Sequence, residues 1–63
     1  MDIDGALLRR LRENAGLSQQ ELADAASISR AHLSMVEADL RECSPPVASR
    51  LASVLGVAIV DLR

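Results

Sequence analysis

Apolar residues recur along the chain at the three- and four-residue spacing of helices, and polar cap residues divide them into short segments. A first helix is predicted to open at Asp4, with Leu8, Leu11 and Ala15 near one face and Gly16 as its C-terminal stop. No segment alternates apolar and polar residues between turns in the way a strand does. The pattern therefore predicts an all-α fold of four to five helices.

Two capped helix starts follow in close succession. Ser18 and Glu21 have the spacing of a capping box. The same kind of start recurs at Ser29, with Ile28 positioned to pack against Leu33. Because the two caps lie only eleven residues apart, they predict a short helix, a tight turn and a second helix.

The remaining helix-starting and helix-ending residues predict a fourth helix and the beginning of a fifth. A polar loop at 40–44 ends in Ser44, which precedes a proline at the first helical position, Pro45. Gly56 ends this helix, and residues 57–63 predict the opening turns of a fifth helix that lacks a good N-cap. The fourth helix carries an apolar stripe of Leu51, Val54 and Leu55.

Length and composition exclude several classes of protein. A chain of 63 residues has room for one domain, 1–63, which buries about 60% of the surface its unfolded form exposes. The single cysteine, Cys43, cannot form an internal disulfide, and its polar surroundings suggest an incidental residue. With only His32 as another soft ligand, no metal or other cofactor is expected. No signal peptide or membrane span is present, so we expect a cytoplasmic protein.

Net charge and the types of side chain present restrict the classes of function that the chain can have. Seven arginines and nine acidic residues give a net charge of −2, whereas nucleic-acid binders usually carry a basic surface. Net charge does not say which face carries which sign, so composition alone decides nothing. Without aromatic residues there is no platform for stacking single-stranded bases. No nucleophile with an oriented base and no small-molecule pocket is indicated, so an enzyme is not expected.

The segment Gly-Leu-Ser-Gln-Gln-Glu-Leu-Ala at residues 16–23 resembles the GLSQxELA block of the lambda-repressor-like (XRE-type) family. The resemblance runs from about Leu8 to Leu62. It implies five helices, of which the second and third form a helix-turn-helix, with the third placed in the major groove of double-stranded DNA. Further matches stand at the expected distances: Ser29-Arg30, Leu33-Ser34, Val36-Glu37, Leu51-Ala52 and Leu55-Gly56-Val57.

The third helix supplies the candidate base contacts. Leu33 and Val36 are predicted to turn inward, which leaves an opposite face of small and long side chains. An arginine can hold guanine O6 and N7 together, and an alanine or methionine can touch a thymine methyl group. Met35 could equally belong partly to the core. The expected base contacts are Arg30, Ala31, Ser34 and Met35.

The candidate phosphate contacts lie around this helix. Amide groups at the starts of the second and third helices are natural anion sites. The resemblance assigns a backbone contact to Gln19, and Arg41 is the one basic residue of the following loop. For His32, a phosphate contact and a surface position without a functional role are equally good interpretations. The expected backbone contacts are Ser18, Gln19, Ser29, His32 and Arg41.

The resemblance also implies an ion pair between Arg12 and Glu37 that ties the third helix to the first, a structural role. The chain departs from the family in three places. Ser27 stands where glycine is frequent in the helix-turn-helix turn. Asp39 stands where glycine is frequent after the third helix, Glu42 stands among positions that are frequently basic, and both are expected to repel phosphates. The third departure is Arg63, in place of an apolar residue.

These observations predict a sequence-specific regulator of transcription, a repressor acting as a homodimer on a two-fold symmetric operator. Val60 is expected to point outward from the fifth helix, beside an inward Ile59, where it would form a dimer contact or be a lone surface valine. The alternative is a protein-interaction module on the same fold, with little or no DNA binding. The distribution of charge around the third helix distinguishes the two.

Overall fold

The computed structural model describes residues 2–63, which contain helices and turns and no strand. The all-α prediction is therefore confirmed. The predicted fifth helix is a single turn of 3-10 helix, in which the Asp61 carboxylate accepts from the Ala58 backbone N–H at 3.0 Å. The helices are α1 (Gly5–Asn14), α2 (Gln19–Ala25), α3 (Arg30–Glu37), α4 (Pro45–Leu55) and the 3-10 helix (Ile59–Leu62).

The predicted caps of the first three helices are formed by side chains. The Asp4 carboxylate accepts from the Leu7 N–H at 3.2 Å. At α2 the capping box is complete: Ser18 Oγ accepts from the Glu21 N–H at 3.0 Å, and Glu21 Oε1 accepts from the Ser18 N–H at 2.9 Å. Ser29 precedes α3 in the same way. These bonds satisfy amide donors that a helix start leaves unpaired, and so fix where each helix begins.

Left-handed residues end the helices and set the directions of the chain. Gly16 and Gly56 have φ of 74° and 71°, as their positions after α1 and α4 predict. Ser27 and Asp39 each adopt φ of 59° without being glycine. Ser27 lies in the turn between α2 and α3, so the helix-turn-helix forms with serine at this position, at some conformational cost.

One leucine from every helix meets in the centre of the molecule. All five have no accessible surface: Leu8, Leu22, Leu33, Leu51 and Leu62. Cys43 is also buried, at 1% exposed, so its interpretation as an incidental residue of a polar loop is wrong. The expected apolar faces also need correction, because Ala15 lies past the end of α1 and is exposed, and Val54 is 37% exposed.

Helix α1 lies directly against the C-terminal end of α3. A Cβ atom on Gly5 would lie 2.6 Å from the Val36 carbonyl oxygen and would also overlap that of Glu37. Only glycine permits this approach. On the other side of the molecule, Arg50 Nε donates to the Ala26 carbonyl oxygen at 2.7 Å, which ties α4 to the turn before α3. The described helices include none that is long and apolar enough to cross a membrane.

Candidate nucleic-acid interface

Helix α3 has one side fixed in the protein and the other side free. Leu33, Val36 and Glu37 are buried. The opposite side is exposed over its length and includes Met35, which is 41% exposed and is not among the residues of the core cluster. The predicted base-contacting residues therefore share one accessible face of α3: Arg30, Ala31, Ser34 and Met35.

A buried polar network holds this helix to α1 and α2. Arg12 Nε donates to Glu37 Oε2 at 2.8 Å, and Arg12 Nη2 donates to Glu37 Oε1 at 3.2 Å. The two side chains are 10% and 3% exposed, respectively. Arg12 Nη1 also donates to the Leu17 carbonyl oxygen at 2.9 Å. The bond to the Glu37 carboxylate raises the pKa of Arg12 above its ordinary value, so this arginine stays charged.

Gln19 belongs to the same network, which the sequence did not indicate. Its Nε2 donates to Glu37 Oε1 at 3.1 Å, and its side chain is half-buried. The residue that the family resemblance assigns to the DNA backbone is thus held in place by the pair that fixes α3. No feature of residue type or spacing marks this contact, since a glutamine after a cap also suits an exposed helix surface.

The two capping serines differ in what surrounds them. At α2 a carboxylate already occupies the cap, because the backbone N–H of Ser18 is bound by Glu21 and lowers the pKa of that residue. At α3 the Ser29 hydroxyl accepts from the His32 N–H at 3.0 Å, and the first turn has no acidic residue. The start of α3 is therefore the more favourable of the two for an anion.

One ring nitrogen of His32 is enclosed within the protein. The side chain is half-buried, and its Nε2 atom is enclosed and has no hydrogen-bond partner. The expected phosphate contact through this nitrogen is therefore not available in this arrangement. His32 is thus only partly exposed, and a phosphate contact through the remainder of its ring stays a prediction.

An open surface depression joins the starts of α2 and α3 to helix α1. It contains the exposed Arg30 of α3 and includes Arg9, which lines it from α1. Every side chain that lines the depression is cationic or neutral. They are Arg9, Arg12, Ser18, Gln19, Gln20 and Arg30.

Arg41 lies in a different depression, among carboxylates. It is exposed and is not brought together with Arg30. Asp39 accepts from the Gly5 N–H at 2.9 Å and so stabilises the start of α1, while its expected repulsion of phosphates stays a prediction. The second depression is lined by Asp2, Ile3, Asp39, Leu40, Arg41 and Glu42.

Comparison with known proteins agrees with this arrangement. Residues 8–62 match the helix-turn-helix family. The chain belongs to the lambda-repressor-like (XRE-type) helix-turn-helix family. Its similarity to an uncharacterised HTH-type transcriptional regulator of Mycobacterium tuberculosis is 40% identity over 53 residues, covering 84% of this chain. The chain spans 38% of the length of that relative.

Solved structures of this helix-turn-helix family superpose closely on the chain. The restriction-modification controller protein C.AhdI from Aeromonas hydrophila has a TM-score of 0.90 and 34% identity, covering 94% of this chain and 89% of its own. The biofilm master regulator SinR, solved in complex with DNA, has a TM-score of 0.87 and 29% identity, with 92% and 94% covered. The regulator ClgR from Corynebacterium glutamicum has a TM-score of 0.88 and 33% identity, with 92% and 62% covered.

Proposed function

We propose that this chain is a sequence-specific double-stranded DNA-binding domain of a transcriptional regulator. The proposal rests on how α3 is held in the fold and on which of its faces is exposed. Its inner side is fixed by core contacts and by the Arg12–Glu37 pair, while Arg30 and small side chains face outward. A helix presented in this way fits the major groove, where an arginine reads guanine and small residues allow close approach.

The distribution of charge supports DNA over a protein partner. The depression beside α3 has no acidic residue among its lining side chains, and Arg30 forms no ion pair among the described residues, whereas Arg12 is paired with buried Glu37 and Arg9 with exposed Glu13. Carboxylates are concentrated instead in the depression around Arg41, which includes Asp2, Asp39 and Glu42. The net charge of −2 therefore conceals a local cationic surface next to the exposed face of α3.

The proposal includes a homodimer that represses transcription in the cytoplasm. Val60 is 67% exposed while its neighbour Ile59 packs against the core, which suits an apolar contact with a second copy. A two-fold dimer would place its α3 helices in successive major grooves, about 34 Å apart or a multiple of that distance. The Val60→Asp variant should then shift sedimentation toward the monomer without loss of helicity.

Amide chemical-shift mapping tests where DNA binds. The labelled protein is titrated with duplex DNA of mixed sequence at low salt, and shifts are followed by heteronuclear NMR. We expect them to concentrate at Arg30–Met35 and in the adjoining cationic depression. Shifts concentrated at Asp2 and residues 39–42, or none at all, would contradict the proposed interface and favour a protein partner.

A matched pair of variants tests the role of Arg30. Arg30→Ala should relax specificity at one base position and cost about 1–3 kcal/mol on the preferred sequence. Arg41→Ala removes an equal charge outside the cationic depression. An equal loss on all sequences with Arg30→Ala would instead identify Arg30 as a phosphate contact.

A further inference from the structure

Arg9 both pairs with a carboxylate on its own helix and lines the depression beside α3. It belongs to α1, where its Nε lies 3.5 Å from Glu13 Oε2 one helical turn away. It also lines the cationic depression that contains Arg30 on α3 and the capped start of α2. An arginine that reaches this depression from α1 adds a positive charge beside the proposed DNA-binding helix.

The ion pair with Glu13 is too weak to fix Arg9 permanently. The two side chains are 63% and 56% exposed, and an exposed pair at this spacing contributes little because water and salt screen it. A DNA phosphate offers the same guanidinium group several acceptor oxygens in a bidentate arrangement. Arg9 can therefore exchange its carboxylate partner for a phosphate when DNA enters.

We propose that Arg9 binds a backbone phosphate of the DNA and that Glu13 competes with that phosphate for the Arg9 guanidinium group. The inference rests on the proposed DNA-binding function and adds a residue of α1 to that interface. It also assigns Glu13 a function, which is to lower DNA affinity by occupying Arg9 in the free protein. Both residues are exposed, so neither effect depends on the stability of the fold.

Arg10 provides a matched control on the same helix. It is the next residue along α1 and is also exposed, but it does not line the cationic depression. Long-range attraction between protein and DNA would be lowered alike by removing either charge. A direct phosphate contact would be lost only with Arg9.

The test measures the binding of a labelled mixed-sequence duplex by fluorescence anisotropy over a series of salt concentrations. Arg9→Gln should weaken binding about three- to tenfold and reduce the slope of log affinity against log salt by about 0.9. Arg10→Gln should change both quantities much less. Equal effects of the two variants, with unchanged circular dichroism, would overturn the phosphate contact.

Replacing Glu13 should change the DNA affinity in the opposite direction to replacing Arg9. Glu13→Gln should strengthen binding about two- to threefold, since the competing pair is an exposed one. Asp2→Asn removes an equal charge outside the cationic depression and should strengthen binding less. In the Arg9→Gln background the gain from Glu13→Gln should disappear, whereas a gain that persists would show that Glu13 acts only through the general field.

The wild-type measurement separates this inference from the function on which it rests. If the wild-type protein binds no duplex even at low salt, both proposals fail. If the wild type binds and Arg30→Ala relaxes its specificity, but Arg9→Gln and Arg10→Gln are equivalent, the DNA-binding function stands and the role of Arg9 is refuted.

Discussion

Removing Arg12 should be among the most damaging single changes in this protein. In Arg12→Ala, the Glu37 carboxylate loses two bonds, at 2.8 and 3.2 Å, and retains only the Gln19 amide at 3.1 Å. The Glu37 side chain is 3% exposed while Arg12 is in place, so its carboxylate depends on protein donors rather than on water. The variant thus leaves a buried charge without its counter-charge, next to the helix that is proposed to bind DNA.

The expected cost is large compared with the stability of so small a domain. Breaking a buried pair by removing one partner costs about 3–5 kcal/mol. At roughly 0.05–0.15 kcal/mol per residue, a domain of this length has a total stability of about 3–9 kcal/mol. A loss of 1 kcal/mol lowers Tm by about 4–8 °C in domains of this size, so Tm should fall by at least about 12 °C.

Thermal unfolding followed by far-UV circular dichroism measures this effect, and a double variant provides the control. Arg12→Met combined with Glu37→Leu replaces both charges by apolar side chains of similar size. Such replacements are often neutral or stabilising, so the double variant should recover most of the lost Tm. An Arg12→Ala protein with the wild-type Tm would refute the reasoning, because Glu37 would then be adequately solvated without its partner.

Three further changes follow from the backbone and the caps. Gly5→Ala should lower the free energy of unfolding by about 1–3 kcal/mol in urea titrations, because its Cβ would lie 2.6 Å from the Val36 carbonyl oxygen. Ser27→Gly should raise the urea midpoint by relieving the left-handed backbone, with a gain of about 0.5–1 kcal/mol. Glu21 has a lowered pKa, so its contribution to stability is present above its ordinary value of 4.5 and is lost as pH falls through the lower, folded-state value. Glu21→Gln should therefore flatten the dependence of Tm on pH in this acidic range.

Each of these predictions has a contrasting variant or outcome. Ala6→Gly, at an exposed site of α1, should cost only about 1 kcal/mol through helix propensity. A Gly5→Ala protein as stable as the wild type would show that α1 can move away from α3. Asp39→Gly shares the φ of 59° with Ser27 but loses the bond to the Gly5 N–H, so it should not stabilise. An unchanged pH profile in Glu21→Gln would refute the role of the capping carboxylate.

Helix boundaries could be predicted from the sequence because they depend on local chemistry. A serine or aspartate before an apolar run can accept from an amide two or three residues later without contacts from distant parts of the chain, although Ser44, which is predicted to cap α4, makes no such side-chain bond. Asp4, Ser18 and Ser29 all bind in this way. The fifth helix was overestimated because Ala58 offers no side-chain acceptor, and only one 3-10 turn forms.

The burial and the partners of individual side chains were harder to predict, because they depend on which helices pack together. Cys43 sits in a polar stretch of sequence yet is buried, since its side chain belongs to the core cluster while its neighbours in the loop are exposed. Burial raises the pKa of its thiol. The enclosed Nε2 atom of His32 and the bond from Gln19 to Glu37 also depend on how the helices pack. Periodicity gives the angle of a residue around its own helix but not what lies opposite.

Selection from a random pool of double-stranded DNA, followed by sequencing of the bound fraction, tests the central claim most directly. We expect enrichment of an inverted repeat with wild-type protein, and loss of preference at one position of each half-site with Arg30→Ala. Failure to enrich any sequence, even at low salt, would contradict DNA recognition by the exposed face of α3.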